Sequence, residues 1–101
     1  MRFLVVVRSK HRVDRADFPG LVEAFAAWRE KYRSVSESFE AFVGGKGGYG
    51  VVDVDDAAAL HQMLIEYPFA PTSDIETYPI IDGDKAIAMW REFAKAMAGG
   101  G

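Results

Sequence analysis

The chain has 101 residues, 50% of them hydrophobic and 13% aromatic, with a formal charge of −3. That is the length of one domain, with more apolar material than one small core needs, so some is left for an interface. No basic stripe with interleaved aromatics argues for nucleic acid, and the lack of cysteine excludes disulfides, thiolate metal sites and a cysteine nucleophile.

The apolar run Phe3-Leu4-Val5-Val6-Val7 is too short to span a bilayer and lacks the cleavage site of a signal peptide. A soluble, cytoplasmic protein with no membrane partner is expected. Residues 2–9 read as a buried strand, since an unbroken Val-rich run suits a sheet interior. The polar stretch Lys10 to Arg15 reads as a loop. Asp17 before Phe18-Pro19 suits a helix N-cap, and Leu21, Val22, Phe25, Trp28 and Tyr32 recur at helical spacing to about Arg33. Residues 38–43 read as a second strand. Gly44, Gly45, Gly47 and Gly48 are free to adopt positive φ and mark a hairpin turn into a third strand over 49–54.

Asp55 or Asp56 caps a second helix, Ala57–Glu66, with Leu60, Met63 and Leu64 on one face. Pro68 and Pro71 end it, and residues 73–80 form a fourth strand. Asp82-Gly83-Asp84 turns into a third amphipathic helix from about Lys85 to Met97, carrying Ile87, Met89, Trp90, Phe93 and Met97. Residues 99–101 read as a flexible tail after a single domain of 1–98.

The order β-α-β-β-α-β with an extra C-terminal helix is the ferredoxin-like arrangement of the α+β class. It puts two helices on one face of a four-stranded antiparallel sheet and leaves an apolar second face in need of a cover. Two sheets packed face to face would close a dimeric α/β barrel around a cavity, so a homodimer or larger homo-oligomer is expected. The C-terminal helix could reach across to the partner, because Trp90 and Phe93 cost roughly 2–3 kcal/mol each to leave in water.

The block Tyr49-Gly50-Val51-Val52-Asp53-Val54, then Ala59-Leu60-His61, Leu64, Pro68, Pro71 and Asp74-Ile75-Glu76 resembles the muconolactone delta-isomerase family. Phe3, Val5, Lys10 and Val13-Asp14 also fit, so the resemblance covers nearly the whole chain. It implies a dimeric α/β barrel whose reaction shifts a double bond in a small unsaturated lactone, with no metal, flavin or nucleotide. Such chemistry needs a base, a dry apolar cavity and a donor for the enolate oxygen. The chain departs from the family at Phe39-Glu40-Ala41-Phe42, at Gly45-Lys46 and in its C-terminal helix. The same architecture with a different substrate is therefore expected.

Strand alternation picks the candidate site residues. Glu40 shares a face with Ser38 and Phe42; desolvated in a cavity, its carboxylate would be a usable base, whereas on a solvent face it would merely pair with an arginine. Arg8 and His11 flank the end of the first strand. Glu40 is the first choice of base, with Arg8, His11 or Tyr49 as partner of the enolate oxygen; the alternatives are a surface ion pair for Arg8 and a solvated loop residue for His11. Tyr49 would donate to a carbonyl or pack at the rim. Glu76 and Tyr78 share a face with Asp74 and serve either substrate or the interface, with Phe42 as an apolar contact. Trp28 and Tyr32 read as core, and His61 as an outer-layer hydrogen-bonding group. With no second histidine at ligand spacing, no metal and no cofactor are expected.

The leading expectation is a cofactor-independent isomerase or cyclase acting on a small lactone or polyketide-like carbonyl compound. A cofactor-free monooxygenase of aromatic polyketides and a non-catalytic ligand-binding dimer module are the alternatives, which fold alone does not separate.

Overall fold

The computed structural model describes residues 1–100. The strands are β1 (Arg2–Ser9), β2 (Ser36–Ala41), β3 (Gly47–Asp53) and β4 (Ser73–Ile80), and the helices are α1 (Phe18–Lys31), α2 (Ala57–Ile65) and α3 (Gly83–Gly100). The sheet is antiparallel in the order β2-β3-β1-β4. This is the ferredoxin-like β-α-β-β-α-β unit followed by a third helix, as the hydrophobic periodicity predicts.

Boundaries moved where local chemistry differs from the pattern. The second strand ends at Ala41, so Phe42 and Val43 belong to the turn, where Gly44 and Gly45 take φ of 88° and 71°. Gly48, expected in the turn, is instead buried within β3. Gly47 is the strictest position: at φ 112° an added Cβ would lie 1.9 Å from the Val7 carbonyl oxygen. Asp17 makes no side-chain cap on α1, whose start rests on the Pro19 ring. Of the two candidates before α2, Asp56 is the cap, its carboxylate accepting from Ala59 N at 2.9 Å. The C-terminal helix continues through Gly99 and Gly100, residues read from sequence as a tail, while Gly101 lies outside the described residues.

Register assigns the two faces of the sheet. Phe3, Val5 and Val7 sit opposite Val52, Gly50 and Gly48 on one side and Pro79, Thr77 and Ile75 on the other, and all face the helices. The core is small: Phe3, Val5, Val52, Val54, Leu60 and Met63. It lies under α2, whereas α1 has no buried residue and stands off the sheet. The other face bears Leu4, Val6, Tyr49, Val51, Glu76 and Tyr78 with nothing over it. α3 also lies apart from the core, and the molecule measures 65 × 26 × 19 Å with a radius of gyration of 18.0 Å. A compact chain of this length would have a radius near about 13 Å.

Candidate functional site

The space between α1 and the sheet is a cavity of about 580 Å³. Its floor is unusually bare. Gly48 and Gly50 lie at alternate positions of β3 on the helix-facing side, and their Cβ positions fall 2.5 Å from Glu40 O and 2.7 Å from Ser38 O. A side chain at either glycine would collide with β2, and its absence leaves the volume open.

The roof is aromatic. Phe25 of α1 packs against Trp28, Phe39, Tyr67 and Phe69 with ring centroids 5.5–6.0 Å apart. Trp28 and Tyr67 stand 5.0 Å apart. The Trp28 indole N–H donates to the Met63 carbonyl at 2.9 Å and ties α1 to α2. Trp28 and Tyr32 pack against the core, as expected, and also form part of the cavity wall. At one edge the Arg29 guanidinium lies 4.5 Å from the centre of the Phe39 ring.

The mouth is built by the loop after β1. Lys10 N and His11 N both donate to the Thr72 carbonyl, at 2.9 and 3.1 Å, pinning this loop to the turn before β4. Lys10, His11 and Arg12 all line the cavity, and among the described residues no aspartate or glutamate lines it.

A cavity between two paired sheets would lie on the face that carries Glu40; the cavity within this chain lies on the opposite face. Glu40 sits opposite Tyr49, which sits opposite Val6, which sits opposite Glu76, so these four form one row across the open side. Of the candidate site residues, His11 and Tyr49 line the cavity, whereas Arg8, Glu40, Phe42, Glu76 and Tyr78 do not. Tyr49 borders the cavity through its place between Gly48 and Gly50, while register puts its side chain on the open face, with its ring 6.2 Å from that of Phe42. Arg8 pairs with Glu76 at 3.4 Å on the exposed face. Glu76 also accepts from the Tyr78 hydroxyl. That hydrogen bond, helped by the one from Arg8, holds the Glu76 carboxyl below its usual range, and the same contact raises the Tyr78 phenol. Residues missed from sequence are Arg29, Tyr67 and the Gly48/Gly50 pair. Only the alternating glycines carried a sequence signal.

Burial raises the Tyr67 phenol above its ordinary 10.0. The folded protein thus holds this proton more tightly than the unfolded chain. The stability linked to it is complete below pH 10 and falls as pH rises through the folded value. In an alkaline absorbance titration Tyr67 and Tyr78 should both contribute a late component, and Tyr67→Phe should remove the Tyr67 share of it. A titration in which all four tyrosines ionise together would contradict this environment.

Among the described residues no three His, Asp or Glu side chains gather at metal-ligating distance, and no helix is long and apolar enough to cross a membrane.

Comparison with known proteins fits this geometry. A family model described as a domain of unknown function (DUF3303) matches residues 1–94. No curated protein matches the chain by sequence. Among solved structures, muconolactone isomerase is similar at 26% identity and a TM-score of 0.71, over 81% of this chain and 90% of that one. The 5-chloro-2-hydroxyhydroquinone dehydrochlorinase (TftG) of Burkholderia phenoliruptrix AC1100, solved with 2,5-dihydroxybenzoquinone, is similar at 14% identity and a TM-score of 0.70. That match covers 84% of this chain and 98% of the other, and shows the fold alone.

Proposed function

The chain belongs to the DUF3303 family, and from that premise and its cavity we propose that it is a cofactor-independent isomerase or cyclase moving a proton within a small unsaturated carbonyl compound. One observation carries the reading: an aromatic-walled, partly open cavity is lined by His11 and by hydroxyl and guanidinium donors. Shifting a double bond next to a carbonyl needs a base for the carbon-bound proton, a donor for the enolate oxygen, and exclusion of water. His11 is the base. It takes the proton from the carbon beside the carbonyl, the bonding pair passes into the enolate, and the same imidazolium returns the proton at a second carbon. Tyr67, Tyr32 or Arg29 donates to the oxygen meanwhile. The likeness to muconolactone isomerase supports this reaction class.

The oxygenase alternative draws on Trp28 in the cavity wall. The indole N–H, however, is occupied by the Met63 carbonyl and is not free to hold a peroxide or an oxyanion.

The protein works as a homodimer in this proposal. The uncovered sheet face and the apolar side of α3 both need a partner, and a second copy supplies both at once. Arg8, Glu40, Phe42, Glu76 and Tyr78 then serve that interface rather than the chemistry.

Proton transfer is tested by incubating the purified protein in D₂O with muconolactone and a panel of small unsaturated lactones, followed by proton NMR. Faster loss of the proton beside the carbonyl than in a protein-free control, or appearance of an isomer, is expected for at least one compound. Exchange at the control rate throughout the panel would overturn the reading.

A further inference from the structure

The charges around the cavity oppose those of the molecule. The whole chain carries −3, yet the charged groups lining the cavity are cationic: Lys10, Arg12 and Arg29, with the titratable His11 beside them. Lys10 is neutralised in part by Asp74, 3.6 Å away. Arg29 differs from the others. It is half-buried, and among the described residues it has no carboxylate within ion-pairing distance and no hydrogen bond from its guanidinium. What it touches is the face of Phe39 at 4.5 Å. A guanidinium stacked on a ring uses its face for that contact and keeps its N–H edge free to grip two oxygens of a planar anion. A half-buried cation left without an anion is costly unless a ligand supplies one.

We infer that the cavity takes a flat, conjugated monoanion, with its carboxylate or enolate-type oxygens against Arg29 and its unsaturated ring beneath Phe25, Trp28 and Tyr67. This rests on the proton-transfer reading for the identity of the site and adds the substrate class. The ring cluster favours flat π-faces, since offset and edge-on aromatic contacts contribute beyond area burial. The volume of about 580 Å³ falls within the usual range for small-molecule sites. The bare floor at Gly48 and Gly50 admits a flat ring close to the β3 backbone. The cationic mouth in an acidic protein draws anions inward over neutral compounds.

The test uses the intact protein and two probes of one shape: 2-naphthoate and its neutral amide, 2-naphthamide, titrated by calorimetry at moderate salt. The carboxylate is expected to bind roughly ten- to a hundredfold more tightly, the range for a charge-assisted hydrogen bond. Arg29→Gln should bring the two within a few-fold by weakening the carboxylate alone, and Arg29→Lys should restore part of the preference. Equal affinities in the unaltered protein, no binding of either probe, or an Arg29→Gln variant that weakens both equally would each overturn the inference. If Arg12→Gln rather than Arg29→Gln abolishes the preference, the anion sits at the mouth and the assignment to Arg29 fails. Binding with the expected preference but no proton exchange on any lactone would remove the proposed reaction and leave this site standing. Exchange on a neutral lactone without carboxylate preference would do the reverse.

Discussion

Replacing His11 by asparagine is expected to slow proton exchange on the responsive lactone by roughly 10²–10⁴-fold, the usual worth of a positioned general base. Ligand affinity should stay within a few-fold. The expectation follows from how the loop is held. The backbone of residues 10 and 11 is fixed by two N–H groups donating to one carbonyl, Thr72 O, and neither bond involves the imidazole. The residue is exposed and lines the cavity, so asparagine removes the basic ring nitrogen without opening the core. A pure loss of kcat with unchanged binding is the signature of a group acting on the reacting proton. A matching loss of affinity would make His11 a binding residue. Unchanged exchange in a folded variant would remove it from the reaction and leave the tyrosines to be tested. NMR exchange rates, calorimetric affinities and a thermal melt of the same preparation give the three readouts together.

Much of the fold was readable because each element obeys its own period. β1 alternates Phe3, Val5 and Val7 toward the helices with Leu4 and Val6 away, and the Gly-rich hairpin and the prolines after α2 fix where chains turn. The face of β4 was also readable, since Ile75 had to pack inward and so pointed Asp74, Glu76 and Tyr78 outward. The location of the cavity was not. An amphipathic helix such as α1 reads the same whether it seals a core or roofs a hole, and its Phe25, Trp28 and Tyr32 could serve either purpose. The deciding residues are Gly48 and Gly50, and they look like the end of a flexible turn. Only pairing with β1 and β2 shows that they line up under α1. The surroundings of Glu40 within one chain were not legible either. Phe39 and Phe42 flank it in sequence, but Phe39 turns inward to Phe25 while Phe42 leaves the strand, so the carboxylate never enters an apolar box.

The same construction links the site to the assembly. A domain that leaves a cavity of about 580 Å³ where its first helix might have packed has a small core, here six buried side chains. Apolar area missing from that core has to be recovered elsewhere for a short chain to remain folded. The open sheet face and α3 are where it remains.

Removing the apolar character of α3 is accordingly expected to have the largest structural effect. α3 carries Ile87, Trp90, Phe93 and Met97 along one stripe, and these are 41%, 67%, 67% and 64% exposed. Arg91, Glu92 and Lys95 occupy the opposite side. At about 1.5–3 kcal/mol for each large side chain taken from full exposure to burial, covering the exposed part of one stripe is worth roughly 4–7 kcal/mol. A symmetric pair buries two stripes, roughly 8–14 kcal/mol, which is comparable to the cost of association of about 4–15 kcal/mol, so the uncovered sheet face has to contribute as well. Trp90→Asp combined with Phe93→Asp sets two carboxylates into each stripe, and analytical ultracentrifugation should then show monomer where the unaltered protein is dimeric. Because α3 lies apart from the buried core, the sheet and α2 should keep their circular dichroism signature, and only the helical signal of α3 should weaken. A double variant that stays dimeric would place the contact elsewhere, on the sheet face alone. An unaltered protein that sediments as a monomer would remove the dimer from the proposed function, while the cavity on the helix side, complete within one chain, would still be open to the naphthoate titration.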